Sequence, residues 1–127
     1  MRRSEQRREA VFAGYQHELT GRPLDALLAD SKPFVRELAE GVAARTDELD
    51  AVIARHAQGW TLDRIAPLER NIMRVALHEI TARVDIPDEV AIDQAVEIAK
   101  EYCGAGAPAF VNGILAAAAR EHTGQAA

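Results

Sequence analysis

Apolar residues recur at spacings of three and four along nearly the whole chain, and no stretch alternates with a period of two. Over residues 4–19, Val11, Phe12, Tyr15 and Leu19 fall on one face of a helix. Thr20-Gly21-Arg22-Pro23 stops it, because Gly accepts a left-handed cap and Pro cannot continue a helix. Pro23 opens a short helix as far as Ala29. Ser31 is placed to cap the next one, with Pro33 in the first turn and Phe34, Val35, Leu38 and Val42 facing inward. Thr46-Asp47-Glu48 reads as a fresh N-terminus, followed by Leu49, Val52 and Ile53 as the apolar face. Gly59 ends that helix, and Trp60 is expected to plug the core beside a short turn over 62–65. Pro67 starts the strongest helix, with Leu68, Ile72, Val75, Ala76 and Ile80 in register. Asp85-Ile86-Pro87-Asp88 reads as a turn, 92–102 as a helix and 103–108 as a loop. A last helix follows, with a loose tail from residue 122. The pattern predicts an all-α fold of about seven helices, one domain spanning residues 1–127.

The last helix breaks a local rule. Phe110, Val111, Ile114 and Leu115 form one apolar stripe, yet Asn112 and Gly113 interrupt it. A Gly inside a helix costs about 1 kcal/mol relative to Ala. In such a place it marks close approach of another backbone or of a ligand. The Asn amide beside it also needs hydrogen-bond partners.

With 48% hydrophobic and 28% charged residues the composition is that of an ordinary folded domain. Aromatic residues make up only 5%, so the core must rest on Ala, Val, Ile and Leu. The single Cys103 has no internal disulfide partner, no apolar run approaches the ~18 residues of a membrane span, and the basic start lacks a signal peptide's apolar segment. A cytoplasmic protein is expected. Net charge is −5, but residues 1–9 hold four arginines against two glutamates. A basic end on an acidic body points either to a local surface for a polyanion or to a merely solvated terminus.

Catalysis finds little support. None of His17, His56, His78 and His122 has a Glu three residues earlier, as helix-borne di-iron sites require. His78-Glu79 begins like a zinc-protease helix, but residue 82 is Ala, so the second ligand is missing and His78 reads as a surface or partner-facing residue. Neither Ser4 nor Ser31 sits in a nucleophile elbow, and nothing basic adjoins Cys103 to activate its thiol. Gly104 and Gly106 lack the strand and third Gly of a nucleotide loop. No enzyme activity, metal or cofactor is expected. Nucleic-acid binding fares better: Arg3 and Arg7 are helical neighbours, and Arg8 lies on nearly one line with Tyr15. Guanidinium groups pair with phosphate, and a phenol ring offers a stacking surface for a base.

Several strings match one family in order. Arg7-x-x-Ala10, Tyr15-Gln16 and Phe34-Val35-x-x-Leu38-x-x-Gly41-Val42 resemble the opening of the NusB transcription antitermination factors. Glu69-Arg70-x-Ile72-x-Arg74-x-Ala76-x-x-Glu79, Pro87-x-x-Val90-Ala91-Ile92 and Ala95-Val96-Glu97-x-Ala99-Lys100-x-Tyr102 continue the match, and Phe110-Val111-Asn112-Gly113-Ile114-Leu115 closes it. Gly14, His78, Gly106 and Ala109 depart from the family's usual Leu, aromatic, acidic and basic residues.

The resemblance implies two packed helical bundles without catalytic activity. It implies binding to single-stranded boxA RNA in nascent ribosomal RNA transcripts and pairing with NusE, a ribosomal small-subunit protein. The pair would join other Nus factors on RNA polymerase and suppress premature termination, with either a monomer or a homodimer as the free state. Carried over by position, Arg2, Arg3, Arg7, Arg8 and Tyr15, with Phe110 and Asn112, form the expected RNA-binding set. The amino-terminal arginines and the start of the last helix should then make one cationic patch. Glu69, Arg70, Arg74, His78 and Glu79 are the expected NusE-facing set. Two other readings are an RNA-binding domain of a ribosomal RNA cytosine methyltransferase and a structural oligomerisation module.

Overall fold

The computed structural model describes residues 2–126; Met1, in the expected basic arm, and Ala127, in the expected tail, lie outside them. Among the described residues seven α-helices follow one another: α1 Arg3–Thr20, α2 Leu24–Leu27, α3 Pro33–Ala44, α4 Thr46–His56, α5 Pro67–Ala82, α6 Asp88–Tyr102 and α7 Ala107–Ala126. A single 3-10 turn, Leu62–Arg64, separates α4 from α5. Among the described residues there is no strand.

Most boundaries follow local chemistry. Gly21 takes φ +72° and returns its N–H to the His17 carbonyl at 3.0 Å, which ends α1. Pro33 and Pro67 sit in the first turns of α3 and α5, where a missing N–H costs nothing. Two hydroxyls beside helix starts do other work. Ser31 Oγ donates to Glu9 at 2.7 Å, tying the α2–α3 link to α1, and Lys32 precedes α3 instead. Helix α4 starts at Thr46 as expected, but Thr46 Oγ1 donates back to the Val42 carbonyl at 2.9 Å, closing the end of α3. Helix α6 begins at Asp88, not near residue 92, because Pro87 pre-sets the entry and Asp88 and Glu89 face the positive end of the helix dipole. The expected loose tail is helical as far as Ala126.

Helix α5 is the axis of the molecule. It packs against α1, α3, α4, α6 and α7, so one group of helices (α1–α3) and another (α4, α6, α7) share it. Residues 71–80 are buried without interruption, on every face of the helix. Ile72, Met73, Leu77 and Ile80 meet Val11, Val35, Leu38, Leu49, Ile53, Ile98 and Leu115 in one continuous core. Each large aliphatic side chain taken fully out of water contributes roughly 1.5–3 kcal/mol.

Small residues set how closely the helices approach. A Cβ on Gly14 would sit 2.8 Å from Asn71 Oδ1, so the Gly that departs from the family pattern lets α1 lie against α5. A Cβ on Gly41 would overlap the His78 imidazole, so α3 has room for that ring only because residue 41 has no side chain. Gly113 is the opposite case. Nothing lies within 4 Å of its missing Cβ, so it does not mark a helix crossing.

Candidate nucleic-acid interface

The amino-terminal arginines divide into buried and exposed members. Arg2 and Arg3 are exposed; Arg2 reaches Glu5 at 3.5 Å and Arg3 lies 4.3 Å above the Phe34 ring. Arg7, expected on the RNA surface, is only 6% exposed. Its Nε donates to Glu79 Oε1 at 2.8 Å, and its guanidinium lies 5.6 Å from the Phe34 ring. Position 7 faces the core because it shares a face of α1 with Ala10 and Val11, and the carboxylate of α5 compensates its charge. Arg8 stays near the surface but is bound by both carboxylate oxygens of Glu101, with Nε to Oε2 at 3.0 Å. Its Nη1 also donates to the Ser4 carbonyl at 3.0 Å. The hydrogen bonds from Arg8 hold the Glu101 carboxyl below its ordinary range.

Aromatic side chains supply the rest of the surface. Phe12 meets Tyr102 edge-on, ring centroids 4.9 Å apart, and Tyr102 remains 48% exposed. Tyr15 is half-buried. Phe110 packs against Trp60 at 6.0 Å between centroids, and Trp60, expected in the core, is 52% exposed. Asn112 and Gly113 face outward at the start of α7.

Arg7 and Phe110 stand at different levels of α5. Arg7 pairs with Glu79, whereas Phe110 shares a hollow with Glu69, ten positions earlier. Ten helical residues span about 15 Å. The end of α6 bridges that interval: Glu101 takes Arg8, Tyr102 takes Phe12, and residues 103–106 then lead into α7 and Phe110. Sequence reasoning missed Glu101, Tyr102 and Trp60 as members of this surface. Glu101 and Tyr102 became visible only when α1 was laid against the end of α6.

The expected partner face lies mostly inside. Arg74 donates to Asp50 (Nε, 2.7 Å) and to Glu18 (Nη1, 2.7 Å) and is buried. His78 is buried, not on the surface, with Nδ1 3.0 Å from Arg45 Nη1; burial, then the Arg45 cation, holds its pKa below the ordinary value. Glu79 is buried against Arg7, and that burial pushes its carboxyl pKa up although Arg7 pulls it down. Arg70 is largely covered, donating to Glu18 at 3.0 Å and to the Ile65 carbonyl at 2.7 Å. Only Glu69 of the five keeps a partly exposed side chain with no ion pair, and burial raises its pKa. The reason is topological: α5 looks amphipathic in sequence, but Glu18, Asp50, Arg45 and Arg7 converge on its polar face from neighbouring elements.

Other chemistry is thin. Among the described residues no three His, Cys, Asp or Glu side chains are grouped to hold a metal ion. Burial, then the Glu69 charge, pushes the Cys103 thiol up, away from the reactive thiolate. Among the described residues no helix is long and apolar enough to cross a membrane.

The NusB family model matches residues 4–120, nearly the whole chain. The chain belongs to the NusB family. The transcription antitermination protein NusB of Frankia casuarinae is 53% identical over 97 residues, covering 73% of this chain and 72% of that one. NusB from T. maritima superposes with a TM-score of 0.89 at 34% identity, over 96% of this chain and 93% of the other. The fold is shared, with a TM-score of 0.83 at 23% identity, by a chain in a crystal structure of the antitermination factors NusB and NusE in complex with dsRNA; 95% of this chain and 99% of that chain are covered. These NusB relatives are antitermination factors rather than known enzymes.

Proposed function

We propose that this NusB-family chain acts, without catalysis and in the cytoplasm, as an RNA-binding adaptor. It takes the single-stranded boxA segment of nascent ribosomal RNA transcripts together with NusE. With other Nus factors on RNA polymerase it opposes premature termination. Support comes from a surface that carries cations, rings and an unshielded backbone in succession: the exposed Arg2 and Arg3, Arg8 held by Glu101, the Phe12–Tyr102 pair, then Phe110, Asn112 and Gly113. Guanidinium groups neutralise phosphates, and flat side chains receive unstacked bases. Tyr15, half-buried and one turn beyond Phe12 on α1, is the remaining ring of the expected set.

Arg7 contributes by holding α1 against α5, not by touching RNA. For NusE, Glu69 and the edge of Arg70 are the members of the expected set that reach solvent; Arg74, which shares Glu18 with Arg70, supports them from inside, and His78 and Glu79 are buried farther along α5.

Titrating labelled boxA-like RNA and a scrambled control, with and without NusE, tests the reading. Tighter binding of boxA than of the scramble, strengthened by NusE, is the expected outcome. Equal, weak binding of both RNAs in both conditions defeats it.

A further inference from the structure

Beside the surface just described is an open hollow of about 330 Å³, at the lower end of the ~300–1,000 Å³ typical of ligand sites. Trp60, Arg64, Ile65, Glu69 and Phe110 line it, with residues 104–107. Its construction is odd for a structural feature. Trp60 follows Gly59, which takes φ +79°, and the turn leaves the indole half in water instead of in the core. Phe110 meets the indole at an interplanar angle of 67°, which braces Trp60 without covering it. Arg64, at the end of the 3-10 turn, is exposed and has no carboxylate partner among the described residues. Glu69, a carboxyl without an ion pair among the described residues, also lines the hollow.

An exposed indole braced from one side, an uncommitted guanidinium and a hydrogen-bonding carboxyl are the parts that hold an unstacked nucleobase. We infer that this hollow is a base pocket: one nucleotide of the bound RNA turns out of the strand and stacks on Trp60. Arg64 meets its phosphate or a ring acceptor, and Glu69, which this assigns to RNA rather than to NusE, meets an amino group on the base edge. The inference rests on the RNA-binding reading and extends it to a pocket built by the α4–α5 connection, well away from the basic amino terminus.

Trp60 is the single Trp of the chain, so its emission reports on the pocket directly. Titration with boxA-like RNA, alone and with NusE, should quench that emission along the same curve that labelled RNA gives for binding. Trp60→Ala should weaken RNA binding by roughly 5- to 150-fold, the worth of one stacked base, while Trp60→Phe keeps most of the affinity. Arg64→Ala should flatten the salt dependence by about one phosphate contact. Thermal melting of W60A and W60F checks that both variants are folded, and agreement between them and wild type assigns the affinity loss to the lost ring. RNA that binds without changing emission, and equally to W60A, overturns the base pocket and leaves RNA binding standing. Emission that responds to NusE alone and no further to RNA overturns it in favour of a protein occupant. No RNA binding under either condition overturns both readings.

Discussion

Arg7 Nε lies 2.8 Å from Glu79 Oε1, and both side chains are sealed from solvent, 7% and 1% exposed. A cation that the basic amino terminus offers for phosphate is thus spent on joining α1 to the central helix. Removing one partner of a buried pair leaves the other charged, desolvated and unpaired, which costs about 3–5 kcal/mol. Arg7→Ala should therefore lower the melting temperature by roughly ten degrees or more, taking about 3 °C per kcal/mol for a domain of this size. Its RNA binding should fall only through lost folded protein. A variant that melts like wild type yet loses RNA affinity would reverse the assignment and put Arg7 back on the RNA surface.

Arg8 tells the other half of that story. Its bidentate contact with Glu101 is on the surface, where solvent screening leaves such pairs little weight in stability. Glu101→Gln should scarcely move the melting temperature, but it frees the guanidinium for phosphate. We expect RNA affinity to rise about two- to five-fold at low salt, the equivalent of an exposed pair. With Arg2, Arg3 and Arg8, and Arg64 of the base pocket, as the phosphate contacts, log K against log salt should slope near −3, at roughly −0.7 per single-strand phosphate. A slope near zero, or an E101Q protein that binds more weakly, would count against these contacts.

How much of this was legible in sequence depends on which neighbour decides each residue. Helices that carry their own stop and start signals, such as α1 with Gly21 or α5 with Pro67, could be read directly. The polar face of α5 could not, because its partners Glu18, Asp50, Arg45 and Arg7 are remote in sequence and only tertiary packing brings them there. Trp60 was misplaced for a related reason: a large apolar side chain after a short helix defaults to the core, and nothing local says that the Gly59 turn aims it outward. The stretch around Gly113 was legible as an anomaly, but not which of its two explanations applied. The open space where its Cβ would stand removes the helix-crossing explanation.

His78 gives the fold a pH dependence. Burial, and after it the Arg45 guanidinium, hold the imidazole neutral; Arg83 adds to this, while Glu37 and Glu48 oppose it. An unfolded chain takes up this proton near pH ~6.5, whereas the folded protein waits until lower pH. The unfolded state then binds more protons in that window, so stability present above pH ~6.5 is lost as the pH falls through it. Glu18 acts in the same direction at lower pH: burial raises its pKa, but hydrogen bonds from Arg74 and Arg70 more than offset that and leave it lowered. Glu79, raised by burial, opposes both in the carboxylate range. Melting temperatures at pH 7.5 and 5.5 should fall for wild type, and fall less for His78→Phe. Equal losses in the two proteins would show that this imidazole is not the group responsible.

Gly113 offers the sharpest separation of stability from function. Its Cα faces open space within a regular helix, so Ala can be added without displacing any atom of the fold. The substitution also removes a helix-interior Gly, worth up to about 1 kcal/mol of stabilisation. Physical chemistry of the folded chain alone therefore predicts a Gly113→Ala protein that melts a few degrees higher. If RNA approaches this backbone as closely as a base or phosphate in contact must, the added methyl group stands in the way, and affinity for boxA-like RNA should drop several-fold. Stability and binding would then move in opposite directions in one variant, which a general packing role for Gly113 cannot produce. A protein that gains stability and binds RNA as wild type does would place the RNA elsewhere on α7.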